Sequence, residues 1–169
     1  MTATVARDWI DAEFSRGIDA ERGMAEEARA RGESPPDPAL GVLYHEIAAA
    51  DERHQAIVET IATRYGHTPS RTTGGGIGET IARLKNKVAH SVSGADALHD
   101  LAGDLAAKAN AIHWYVAWSA AFAALGDAES ARELSAVLTE EQAHRDALQQ
   151  WLNRLVERGA RGETDVAKA

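Results

Sequence analysis

Asp51-Glu52-Arg53-His54 and Glu141-Gln142-Ala143-His144 repeat one pattern, an acid three residues before a histidine. Each pair lies on the apolar stripe of a long helical segment. The first stripe reads Leu40, Tyr44, Ile47, Asp51, His54, Val58, Ile61 and Tyr65; the second reads Leu134, Val137, Glu141, His144, Leu148, Trp151 and Leu155. Only the acid and the histidine interrupt either run. Residues i and i+3 share a helix face, so each pair aims at one point inside a bundle. A charge there is costly unless it finds a partner or a metal.

Working outward, the chain reads as four long helices with no strand-like alternation. The first covers about 3–32 and ends at Gly32. Pro35, Pro36 and Pro38 then break the chain, and Asp37 is an N-cap with Pro38 at the first helical position. The second helix closes at Gly66. Residues 67–76 are loop, with a short helix at 77–90 carrying Ile77, Ile81, Leu84 and Val88. The third helix covers about 94–125. Gly126-Asp127 turns into the fourth, about 128–158, and 159–169 is a tail. Short connections at both ends and a long 67–93 link predict two antiparallel hairpins with the middle helices parallel, a four-helix bundle with one crossover. Gly74-Gly75-Gly76 lacks the ending of a phosphate-binding P-loop and reads as linker.

Composition narrows the chemistry. The 169 residues contain no cysteine, which excludes disulfides and thiolate sites, so any metal must sit on nitrogen and oxygen. A net charge of -8 and a pI of about 5.3 argue against nucleic acid or an acidic membrane as partner. No apolar run approaches a membrane span. Met1 to Arg7 lack a signal-peptide core. The expectation is a cytoplasmic single domain, 1–158, followed by the tail.

The first helix has its own stripe: Ile10, Phe14, Gly17, Glu21, Met24 and Ala28. Its one acid, Glu21, lies roughly 16 Å from the end of that helix, and Asp51 and His54 lie roughly 21 to 25 Å into the second. Glu141 and His144 sit at similar depth. One acid and two acid-x-x-His pairs therefore converge near mid-bundle. The remaining histidines, His45, His67, His90, His99 and His113, read as surface or hydrogen-bonded groups.

This pattern resembles the ferritin-like di-metal carboxylate superfamily, in particular its rubrerythrin-like branch. There, two helices each give a Glu and two give Glu-x-x-His. Glu21 matches the first acid, Asp51 and His54 the first pair with Asp in place of Glu, and Glu141 and His144 the second pair. Leu43-Tyr44-His45-Glu46-Ile47-Ala48 and Leu138-Thr139-Glu140 also look like that family. The resemblance implies iron (or manganese or zinc) and oxidoreductase chemistry on oxygen or peroxide, with Glu21, Asp51, His54, Glu141 and His144 as metal ligands.

The third helix departs from the pattern. Its stripe is Leu98, Leu101, Leu105, Lys108, Ile112, Tyr115, Ser119 and Phe122, with lysine where the family has its fourth acid. Asp104 is one turn away. An ammonium removes an anionic ligand and adds positive charge, so the site is expected to hold one ion per chain or none. Lys108 would close the second metal position or donate a proton. Tyr115, seven residues on, and Tyr44 would be hydrogen-bonding or redox neighbours. The alternative is a non-catalytic bundle, an interaction or structural protein whose charged cluster is a salt-bridge network. Trp114 and Trp118 fall off the Lys108 stripe; they are expected either to pack under the crossover helix or to form a homodimer interface, where Trp is enriched.

Overall fold

The computed structural model describes residues 3–67 and 95–163. Four helices account for nearly all of them: α1 Ala3–Glu33, α2 Pro38–Arg64, α3 Ala95–Ala124 and α4 Ala128–Ala160, with no strand among the described residues. The short helix expected at 77–90, the triple glycine and most of the 67–93 link lie outside the described residues, as does the end of the tail. Among the described residues no helix is long and apolar enough to cross a membrane.

The helix ends follow from local chemistry. The Asp37 carboxylate accepts from the Ala39 N–H, with Pro38 beginning α2. Asp127 accepts from the Ser130 N–H at 3.0 Å and starts α4. Gly66 and Gly126, at φ of 76° and 81°, follow α2 and α3 in the left-handed conformation that ends a helix at least cost when no side chain is present.

Contacts between helices set their directions. Tyr44 meets Asp104, Asp51 meets Lys108, and Tyr65 packs on Phe122, so α2 and α3 run parallel. α1 runs against α2, since Ser15 pairs with His67 at one end and Gly32 abuts His45 at the other. α4 runs against α3, through Ser119 with Ala131 and Lys108 with Glu141. The expected ferritin-like four-helix bundle is the observed one.

A charged layer divides the core. On one side Ile10, Phe14, Ile18, Val58, Ile61, Tyr115, Trp118, Phe122, Leu134 and Val137 pack together. On the other side lie Ala28, Leu40, Tyr44, Ile47, Ala48, Leu101 and Leu148. Between them, at the same level on all four helices, sit Glu21, Asp51, His54, Lys108 and Glu141, every one at most 3% exposed.

Candidate metal centre

Each helix delivers its polar side chain from the middle of an apolar stripe, so the group points inward because its neighbours do. Glu21, Asp51, His54 and Glu141 each offer one donor atom, and the four atoms lie within 4.8 Å of one another. The Lys108 ammonium stands among them, donating to Asp51 Oδ1 at 2.5 Å and to Glu141 Oε1 at 2.8 Å. His54 turns Nδ1 toward the acids, 3.1 Å from Glu141, 3.8 Å from Asp51 and 3.9 Å from Glu21. Its other nitrogen, Nε2, faces Glu140 at 3.2 Å. Tyr115 donates to Glu21 Oε1 at 2.5 Å.

The electrostatics are those of acids crowded out of water. Burial pushes the Glu21 carboxyl well above its ordinary range, and nearby Asp51 and Glu141 add to that. Burial also lifts Asp51 to about 6, against the pull of Lys108. Burial alone would raise Glu141 as well, but the His54 hydrogen bond and the Lys108 ammonium hold it below the usual value. Lys108 is desolvated too, yet Asp51, Glu141 and Glu21 together push it up to about 12, so it stays charged at neutral pH.

The residues fit a divalent cation on two counts. One oxygen of each acid, Glu21 Oε2, Asp51 Oδ2 and Glu141 Oε2, is buried with no hydrogen-bond partner among the described groups. Such orphaned atoms are uncommon and call for an explanation. Three carboxylates against one ammonium also leave two negative charges for one divalent ion to balance. The donor set, three oxygens and one imidazole nitrogen, suits iron, manganese or zinc. A ligating histidine commonly donates its other N–H to a carboxylate, and Glu140 stands where His54 would need one. Sequence reasoning missed Glu140; the adjacent acids Glu140-Glu141 were the available signal, since one ring spans both.

The structure therefore brings Glu21, Asp51, His54 and Glu141 together, with Lys108 and Tyr115 in direct contact with them. His144 lies outside the four converging donors. It is partly buried, its Nδ1 has no hydrogen-bond partner among the described groups, and burial, with Lys108 nearby, pushes it down to about 4. Asp104 belongs elsewhere, paired with Arg31 and Tyr44. Trp118 corrects an expectation. Far from lying off the core, it is 2% exposed and packs on Phe14 and Tyr115. Gly17 of α1 makes the room, since a Cβ there would stand 2.2 Å from the indole.

Residues 36–161, more than half the chain, match the family described as Domain of unknown function (DUF892). The chain belongs to that family. The matched span covers α2, α3 and α4, hence Asp51, His54, Lys108, Tyr115, Glu141 and His144, while Glu21 on α1 lies outside it. No curated protein and no solved structure matches the chain.

Proposed function

We propose that this chain is a ferritin-like metal-site protein that holds a single divalent cation on Glu21, Asp51, Glu141 and His54 Nδ1, with its own ammonium, Lys108, in the place of a second. The observation that carries this reading is the set of three orphaned carboxylate oxygens in one buried layer. A bound iron or manganese ion would supply one-electron redox chemistry, with oxygen or peroxide as oxidant. The chain's residues prepare for it. Glu140 orients His54, Tyr115 fixes Glu21, and Lys108 holds Asp51 and Glu141 while limiting the charge the site attracts. An ammonium and a divalent ion a few ångströms apart repel strongly in a low-dielectric interior, so the second position stays closed.

A second reading has its own support. The Lys108 contacts with Asp51 and Glu141 are those of a buried salt bridge, and a metal-free structural bundle needs nothing more. Metal analysis of protein purified without chelator separates the two. Close to one ion per chain supports the first reading; none, with none taken up on titration, sinks it. Lys108→Glu restores a fourth acid and should move binding toward two ions per chain. A homodimer remains part of the proposal, resting now on Trp114 alone, and light scattering at tens of micromolar tests it.

A further inference from the structure

Beyond the acids, α3 carries three oxidisable rings in series. Tyr115, fully buried, touches Glu21 through its hydroxyl. Its ring centroid lies 5.4 Å from that of Trp118, edge to face at 82°. Trp118 in turn stacks on Trp114 at 6.3 Å and 16°. Trp114 is only partly buried, so the series runs from the charged layer to the edge of the bundle. In a chain without cysteine, tyrosine and tryptophan are the side chains that most readily give up one electron. Phe14, 4.9 Å from Trp118, is much harder to oxidise and only walls the series. Electron tunnelling falls off exponentially with distance, so two short steps between rings in near contact outrun one long step.

The geometry points to an electron relay: Tyr115, Trp118 and Trp114 carry single electrons between the buried centre and the surface of α3. Its use to the protein rests on the redox reading above, but the relay itself is a property of the side chains. If an ion held by the acids served there as a one-electron oxidant, it would take one electron from Tyr115, and the phenolic proton would move along its hydrogen bond to Glu21 Oε1. Trp118 returns an electron to Tyr115, which recovers its proton from Glu21. Trp114 then reduces Trp118, and a small reductant in solution, such as ascorbate, reduces Trp114. The sum is one electron from reductant to oxidant, with no oxidised residue left in the core.

The absence of cysteine makes the test direct. Asn110→Cys, at an exposed position one turn before Trp114, gives a single attachment point for a ruthenium polypyridyl photo-oxidant. In metal-free protein, flash oxidation of the label should produce a tyrosyl radical, read by transient absorption and electron paramagnetic resonance. Tyr115→Phe should abolish that signal and leave a tryptophan radical. Trp118→Phe and Trp114→Phe, both still aromatic, should each slow its appearance at least tenfold; circular dichroism checks that the fold survives. If Trp118 only fills the space left by Gly17, the rate will not change. An undiminished rate in both tryptophan variants, or a tyrosyl signal that survives in Tyr115→Phe, overturns the relay. Because no metal takes part, a failed relay and a failed metal reading show up in separate measurements.

Discussion

Two clusters in this bundle set one cation against three acids, and they are built to different ends. Arg31 pairs with Glu27 at 2.8 Å, Asp100 at 2.5 Å and Asp104 at 2.9 Å, while Tyr44 donates to Asp104 at 2.7 Å. Its five fixed donors suit several carboxylates at once. The Asp100 side chain is 48% exposed, so water can solvate what the arginine does not reach. None of these acids has an orphaned buried oxygen. Lys108 has three donors and is buried, and each of its acids keeps one oxygen unmatched. The arginine cluster is a complete clamp between α1 and α3. The lysine cluster has anionic capacity to spare, and spare capacity inside a core is what a ligand site needs.

Removing each cation should break the comparison open. With chelator present, Lys108→Met leaves buried acids uncompensated and should cost about 3–5 kcal/mol, a large part of a typical domain's stability. Added manganese or zinc should restore much of it, because a divalent ion can take over the charge. Urea melts with and without metal measure both. A variant that metal does not rescue would favour the salt-bridge reading. Arg31→Met should cost less, about 1–3 kcal/mol, because Asp100 is half exposed and Tyr44 still bonds Asp104. That loss should be the same with metal as with chelator. Tyr44→Phe removes a single hydrogen bond to Asp104 and should cost about 1 kcal/mol, again without metal dependence. A loss as large as that of Lys108→Met would mean the clamp is less complete than its geometry indicates.

The difference between the clusters was only half legible in the sequence. Asp51, His54, Lys108 and Glu141 stand out because a polar residue interrupts a long apolar stripe, and helix periodicity places it without knowledge of the partner helices. The proline and glycine punctuation marked the helix ends to within a few residues. Arg31 and Asp104 are ordinary residues until the register of α1 against α3 is known, and no local pattern carries that register. Trp118 was misplaced for a related reason. It sits about 60° around α3 from Tyr115, off the line of steps of four and three but within the broad face a bundle helix buries. What buries it is Gly17 on another helix, a fact of tertiary packing.

Acid titration of the metal-free protein sharpens the comparison most finely, because acids of the inner layer and His144 beside it respond to pH in opposite directions. Asp51 is raised from an ordinary 3.8 to about 6 by burial, against Lys108. A group whose folded value is raised stabilises fully below its unfolded value, and loses that stabilisation as pH rises through the folded value. Asp51 thus favours the folded state more at pH 4 than at pH 7, and Glu21, also raised by burial, acts in the same direction. His144 is lowered from 6.5 to about 4 by burial and by Lys108. Its contribution is present above its unfolded value and is lost as pH falls toward 4. In the wild type the trends partly cancel between pH 7 and pH 4.5. Glu141, held below its usual value, acts with His144; His144→Gln removes one opposing member, so on acidification the variant should gain stability relative to wild type. Solvent screening at this partly open position keeps the difference below about 1 kcal/mol. Parallel pH–stability curves for the two proteins, measured in chelator, would show that His144 does not feel the charged layer.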